Sequence, residues 1–109
     1  MKEYKLYIGL NDKDSLTQEF EQEKYIRVLE NTCKSYRVSF CFSVIDGGYF
    51  YESGEFNLEK TLLLTFVDID GNVVREIARD LCTFFNQEII LMSTCEVETE
   101  CIRPLDIEN

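Results

Sequence analysis

Residues 38–44 carry an apolar side chain at every second position, and this alternation limits the fold more than any other feature of the chain. The apolar positions are Val38, Phe40, Phe42 and Val44. A period of two residues places these side chains on one face of a strand and the polar residues between them on the other. Such a strand is stable when it pairs with other strands and when a second layer covers its apolar face. The sequence therefore predicts a layered fold that contains a sheet.

Three more segments have the pattern of strands. Residues 4–10 alternate in the same way, and residues 56–69 and 89–97 are rich in apolar residues. Apolar residues at helical spacing predict two helices. The first begins at Ser15, which forms a capping box with Gln18, and it runs to about residue 36. The second follows a cap at residues 70–72.

The segment between the second and third strands contains two candidate turns. Gly47-Gly48 is compatible with a hairpin turn or with a bulge in one long, bent strand. Residues 52–55, with the sequence Glu-Ser-Gly-Glu, form the better turn. We therefore expect a bulge at the two glycines and the hairpin turn at residues 52–55.

The predicted elements follow one another in the order β-α-β-β-α-β. This order is typical of an α+β, ferredoxin-like split βαββαβ fold, in which two helices cover one face of a four-stranded antiparallel sheet. We expect one domain at residues 1–97 and an acidic tail at residues 98–109. The other face of the sheet is expected to be open, and either the following residues or their in-phase neighbours are expected on it: Tyr7, Cys41, Ser43, Leu63, Thr65, Val67, Ile90 and Met92. An open face this apolar predicts either a homodimer that forms through it or a partner that binds on the sheet.

The charge of the chain limits its partners. Eleven basic and 21 acidic residues give a formal charge of −10. A field of this sign repels the phosphates of nucleic acids and favours basic surfaces. We therefore expect no direct contact with nucleic acid. The apolar runs are too short to cross a membrane and the first residues lack the layout of a signal peptide, so we expect a cytoplasmic protein with no membrane contact.

The residue types exclude several kinds of site. The chain has no histidine, the residue that most often serves as a general acid or base near neutral pH. Its five cysteines contain no Cys-x-x-Cys pair, so a zinc site is not expected. We expect no cofactor, no metal and no catalytic residue. One alternative is a metal-dependent hydrolase that uses Asp12 and Asp14 after the first strand.

Four segments resemble small proteins from low-GC Gram-positive bacteria and from their phages or mobile elements. The segments are residues 6–14, 45–48, 59–62 and 85–89. The Gln87-Glu88 step is also similar to a bacterial family of unknown function with the same order of strands and helices. The resemblance implies the ferredoxin-like fold and implies no catalytic residue.

The resemblance and the acidity together favour a non-catalytic interaction protein. We expect an inhibitor, encoded by a phage or mobile element, that occupies a basic surface on a nucleic-acid-binding defence enzyme of the host, as anti-CRISPR proteins do. This expectation rests on the charge of the chain and on analogy with phage proteins, and not on any site residue. The acidic residues expected to contact this protein partner are Glu52, Glu55, Glu59, Asp68, Asp70, Glu96, Glu98 and Glu100.

A second hypothesis places a small molecule in the fold. In this alternative the protein is a dimeric module with a cleft between the sheet and the helices, and Tyr7, Tyr49 and Tyr51 line that cleft. The ligand is not specified by any sequence motif.

Overall fold

The antiparallel sheet has the strand order β2-β3-β1-β4. A computed structural model describes residues 1–105, and within them the chain forms four strands and two helices. The elements are β1 (Lys2–Gly9), α1 (Gln22–Ser35), β2 (Cys41–Phe50), β3 (Phe56–Val67), α2 (Gly71–Phe84) and β4 (Leu91–Glu96). The predicted α+β, split βαββαβ fold is confirmed. The last four residues of the predicted tail, 106–109, lie outside the described residues.

The core lies between the sheet and the two helices. Leu6 and Ile8 of β1 and Leu62 and Leu64 of β3 have no exposed surface. They pack in one cluster with apolar residues of α1 and α2, among them Tyr25, Leu29, Cys33, Val74, Ile77 and Leu81. Because side chains alternate along a strand, the odd-numbered residues of β1 and β3 lie on the face opposite the helices. We call this face the open face.

The open face differs from its prediction in one strand. Met92 pairs with Leu6, and Ile90 and Met92 pack against the core. Leu91 pairs with Tyr7 and therefore lies on the open face in their place. The run of apolar residues at 89–92 has no alternation, and only the pairing with β1 decides which of them face the helices.

Two predicted features of β2 are wrong, namely the bulge at the two glycines and the first residue of the strand. β2 continues through Gly47 and Gly48 in regular register, since Gly47 pairs with Glu59 and Gly48 with Leu58, so there is no bulge. The hairpin turn does lie at the predicted place, with the Tyr51 N–H bonded to the Glu55 carbonyl at 2.9 Å. β2 starts at Cys41 rather than at residue 38.

The first helix begins at Gln22, seven residues after the predicted start. The Ser15 hydroxyl contacts Thr17 rather than capping a helix, and Leu16 has a positive φ of 60°. The carboxylate of Asp12 accepts the backbone N–H groups of Asp14 and Ser15 instead. Residues 11–21 therefore form a loop that side chains hold in place. The second helix has its predicted cap, because Asp70 accepts the N–H of Asn72 at 2.8 Å.

The end of the β2–β3 hairpin extends beyond the helices. On the face that elsewhere packs against the helices, Phe50 is 69% exposed and Leu58 is 74% exposed. The segment after β4, residues 97–105, has no regular secondary structure. Across residues 1–105, none of the helices has both the length and the apolar composition of a membrane span.

Candidate functional site

A pocket of about 290 Å³ lies on the open face, at the end of the sheet where the hairpin begins. Residues from β1, β2 and β3 form its floor, and the connection between α2 and β4 forms one wall. We call it the open-face pocket. It is lined by Tyr7, Gly9, Ile45, Gly47, Gly48, Tyr49, Tyr51, Glu59, Thr61, Gln87, Glu88, Ile89 and Leu91.

The alternation of the strands explains which residues reach this pocket. Tyr7, Ile45 and Thr61 stand on the open face because their even-numbered neighbours face the helices. Gly47 carries no side chain where a Cβ atom would lie 2.7 Å from the Thr61 Oγ1 atom. The missing side chain leaves space above the centre of the floor.

Two tyrosines and a glutamate form the hairpin side of the pocket. The rings of Tyr49 and Tyr51 meet edge to face, with centroids 4.9 Å apart. The Tyr49 hydroxyl donates to Glu88 Oε2 at 2.9 Å, and the Glu52 N–H lies 3.4 Å from the same carboxylate. Burial is the larger cause and this hydrogen bond the second cause that together raise the pKa of Tyr49 to about 12. The hydroxyl is therefore a donor at neutral pH.

Glu59 places a second carboxylate in the pocket. Its side chain is half-buried and accepts the backbone N–H of Asn11 at 3.2 Å. Burial raises the pKa of the Glu59 carboxyl, while the Asn11 N–H opposes that rise by stabilising the charged form. Burial also raises the pKa of Tyr51, with the charge of Glu59 as the next cause.

The wall of the pocket is tied to the loop that follows β1. The Gln87 side-chain amide donates to the Asn11 carbonyl at 2.7 Å. The Asn86 amide donates to both Asp12 and Asp14 at 2.9 Å. These bonds join residues more than 70 positions apart in the chain, and they set the place of Glu88 above the floor.

The metal-dependent hydrolase predicted on Asp12 and Asp14 gains no support from this geometry. Both carboxylates bond to the Asn86 amide, and neither residue lines the open-face pocket. Within residues 1–105, no cluster of three or more acidic or cysteine side chains is arranged to hold a metal ion.

The pocket has the chemistry of a site for a cation. It holds two carboxylates, Glu59 and Glu88, and the faces or edges of three tyrosines. Among the lining residues, all of which belong to the described part of the chain, there is no lysine or arginine. Aromatic rings and carboxylates attract a positive charge. A phosphate group would be repelled by the two carboxylates, and the lining has no basic residue to bind it.

The eight acidic residues predicted as one partner surface fall into two groups at opposite ends of the sheet. Glu52, Glu55 and Glu59 belong to the hairpin. The others lie near the far end of β3 and β4, where the Asp68 N–H bonds to the Lys2 carbonyl and Glu96 pairs with Lys2 and the amino terminus. Asp70 caps α2, and Glu98 and Glu100 are exposed beyond β4.

Sequence reasoning found some of the pocket residues and missed others. Tyr7, Tyr49 and Tyr51 do line one pocket, as the second hypothesis expected. The pocket lies on the open face, however, and not between the sheet and the helices. Gln87 and Glu88 were missed as site residues; their only signal was the resemblance of segment 85–89.

The fold of the chain is shared with several proteins of known structure. No protein-family model and no curated protein matches the chain. A phage SAM lyase in complex with S-methyl-5'-thioadenosine superposes with a TM-score of 0.72 and 20% identity, over 87% of this chain and 80% of the lyase. A phage SAM lyase in the apo state gives 0.69 and 18%, over 86% and 78%. CutA from Pyrococcus horikoshii gives 0.57 and 10%, over 93% and 88%.

These superpositions establish a shared fold, and they also correct the functional prediction. The phage SAM lyase, which shares this fold over about four fifths of its own length, is an enzyme by name. The prediction of a non-catalytic inhibitor that resembles anti-CRISPR proteins is therefore wrong, and so is the prediction that the chain is not an enzyme. The basic protein partner, which depended on that prediction, gains no support.

Proposed function

We propose that this protein is an enzyme that cleaves S-adenosylmethionine in the open-face pocket. The observation that carries the proposal is the pairing of Glu59 and Glu88 with three tyrosines in a pocket lined by no basic residue. S-adenosylmethionine has a sulfonium cation and a nucleoside without phosphate, so its charge and its ring suit this lining. The likeness to a phage SAM lyase supports the same substrate.

The expected product defines which bond breaks. S-methyl-5'-thioadenosine keeps the sulfur, its methyl group and the nucleoside, so the bond between the sulfur and Cγ of the amino-acid part is cleaved. The electron pair of that bond passes to the sulfur, which becomes a neutral thioether. An oxygen of the substrate's own carboxylate bonds to Cγ and closes a lactone. No other reactant enters, and the atoms and charges balance.

A half-buried pocket suits this reaction because the reaction consumes one positive and one negative charge of the substrate. The carboxylate and the sulfonium of the substrate neutralise each other as the new bond forms, and such a step is favoured where water is partly excluded. Glu59 holds the substrate's positive charge. Since the sulfonium charge fades in the transition state, we expect Glu59 to act on binding and orientation, and its loss to raise KM more than it lowers kcat.

The test is to incubate the purified chain with S-adenosylmethionine and to measure the release of S-methyl-5'-thioadenosine by chromatography. Glu59→Gln removes the charge at nearly constant volume and is expected to lower kcat/KM about 100-fold, mainly through KM. Glu55→Gln is the matched control, because Glu55 is exposed on the same hairpin and does not line the pocket. A folded wild-type protein that releases no thioadenosine would overturn the proposal, as would equal losses in the two variants.

Binding separates the proposed ligand class from other nucleosides. Calorimetry is expected to show binding of S-adenosylmethionine, weaker binding of its uncharged thioether analogue S-adenosylhomocysteine, and none of ATP. The reason is the pair of carboxylates in the lining, which attracts a sulfonium and repels a triphosphate. Tighter binding of ATP than of S-adenosylmethionine would contradict the assignment.

We also propose that two copies of the chain associate through the open face. Val67 on this face is 37% exposed, Leu63 on the same strand is half-buried, and Leu91, which also lines the pocket, is 61% exposed. An apolar surface of this kind favours self-association. Light scattering is expected to give twice the mass of the chain, and Leu63→Glu is expected to return it to one copy. A wild-type monomer at micromolar concentration would contradict this arrangement.

A further inference from the structure

We infer that Gly9 and Asn11 are positioning residues that fix the Glu59 carboxylate in the floor of the open-face pocket. The inference deepens the proposed function and rests on it for the role of Glu59 in binding. The placement of the carboxylate itself rests on contacts within the chain.

Gly9 provides the space that the carboxylate occupies. A Cβ atom added at residue 9 would lie 1.8 Å from Glu59 Oε1, 2.5 Å from Cδ and 2.9 Å from Oε2. All three separations are shorter than a Cβ atom can tolerate, so any other residue would displace the carboxylate. Glycine is ordinarily unfavourable inside a strand. Gly9 is the last residue of β1 and still pairs with Thr61 of β3, and the Glu59 side chain that lies over it explains its presence there.

Asn11 holds the carboxylate from the other side. Its N–H donates to Glu59 Oε2 at 3.2 Å, and its side-chain amide donates to the carbonyl of Leu58, the residue before Glu59, at 3.2 Å. Asn11 is only 7% exposed. The two bonds connect the loop after β1 to β3 at the position from which the Glu59 side chain projects.

A third bond fixes Asn11 itself. The Gln87 side-chain amide donates to the Asn11 carbonyl at 2.7 Å. The peptide groups on both sides of the Asn11 side chain are therefore engaged, one by Glu59 and one by Gln87. With Gly9 clearing the space, the carboxylate has one position, which reduces the freedom lost when a cation binds.

The experiment compares Gly9→Ala with Lys5→Ala. Lys5 lies four residues earlier on the same face of β1 and does not line the pocket. Gly9→Ala is expected to lower kcat/KM for S-adenosylmethionine about 100-fold, mainly through KM, because a displaced carboxylate no longer faces the cation. Lys5→Ala is expected to stay within twofold of the wild type. Similar losses in both variants would show a general effect on β1 and would overturn the inference.

A second measurement does not depend on activity. Carbon-detected NMR titration of Glu59 reports the surroundings of its carboxyl, where the other titratable groups of the pocket are Tyr7, Tyr49, Tyr51 and Glu88. In Gly9→Ala the pKa of Glu59 is expected to fall towards the ordinary value, because the displaced side chain returns to water. An unchanged titration in a folded variant would overturn the inference. A changed titration in a protein that never cleaves S-adenosylmethionine would overturn the proposed function alone.

Asn11→Ala tests the same placement if Gly9→Ala does not fold. This variant keeps the backbone N–H but loses the bond to the Leu58 carbonyl. We expect a loss of about tenfold in kcat/KM, because the N–H that holds Glu59 is less firmly placed. Wild-type kinetics together with a wild-type titration of Glu59 would overturn the role of Asn11.

Discussion

The Tyr49 hydroxyl donates a 2.9 Å hydrogen bond to Glu88 Oε2. The bond joins the β2–β3 hairpin to the connection between α2 and β4, and both segments border the open-face pocket. Neither segment is held there by strand pairing with the other, since β2 and β4 are the two edges of the sheet. The two walls are therefore linked through the Glu88 carboxylate, by the Tyr49 hydroxyl and by the Glu52 N–H at 3.4 Å.

Tyr49→Phe removes this link and keeps the ring. We expect the free energy of unfolding to fall by about 1 kcal/mol, the usual net value of one hydrogen bond, and the affinity for S-adenosylmethionine to fall with it. Urea denaturation and calorimetry measure the two effects. Tyr36→Phe is the matched control, because Tyr36 makes a 2.7 Å bond to Asp80 away from the pocket. It is expected to lose similar stability and no affinity, and a reversed result would contradict the role of Tyr49.

Glu59→Gln is expected to stabilise the fold at neutral pH while it lowers kcat/KM. The pKa of Glu59 is raised in the folded state, so between the unfolded and folded pKa values the folded chain binds more protons than the unfolded chain. The contribution of Glu59 to stability is therefore fully present below the unfolded pKa and is lost as the pH rises through the folded pKa. Urea denaturation from pH 4 to pH 8 should show the wild type losing stability relative to Glu59→Gln. Parallel curves would contradict the burial of this carboxyl.

Asn86→Asp tests the anchor between the loop after β1 and the wall of the pocket. The new carboxylate would face Asp12 and Asp14, whose oxygens now accept the Asn86 amide. Losing these bonds is expected to cost about 1 kcal/mol, and charge repulsion adds to that loss at low salt. Asn86→Gly separates the two effects, because it removes the amide without adding charge and suits the positive φ of 48° at this position. Equal stability of both variants at low salt would show that repulsion is absent.

The same anchor has a consequence for pH. The bond from Asn86 is the main cause that lowers the pKa of Asp12. A carboxyl with a lowered folded pKa stabilises the fold above its unfolded pKa, and that contribution is lost as the pH falls through the folded value. Asn86→Gly is therefore expected to weaken the loss of stability in acid, which thermal unfolding between pH 2 and pH 5 would measure.

Asp70→Ala tests the cap of α2. Asp70 accepts the Asn72 N–H at the start of the helix, and removal of such a cap costs about 1 kcal/mol. Asp70→Asn keeps an acceptor oxygen and is expected to stay close to the wild type. Thermal unfolding compares them, and an equal loss in both variants would assign the effect to charge rather than to the cap.

The sequence determined the order of the elements and the composition of their faces. Leu62, Leu64 and Phe66 alternate, and this local pattern selects one face of β3 whatever the strand pairs with. The cap at Asp70 and the turn at residues 52–55 are local in the same sense, since each is completed within a few residues. Gly47-Gly48 misled because glycine permits a bulge without requiring one; the unbroken pairing with β3 decided otherwise.

Tertiary structure decided the site. Glu59 reads as one more exposed acid in the sequence, and only the approach of Gly9 and Asn11 makes it a half-buried pocket carboxylate. Gln87 reaches Asn11 across 76 positions, a contact that no local pattern encodes. Strand alternation needs only neighbouring residues, whereas a pocket needs side chains from several elements at fixed distances. The alternation of the strands can therefore be predicted directly from the sequence, whereas the pocket forms only after the strands have paired.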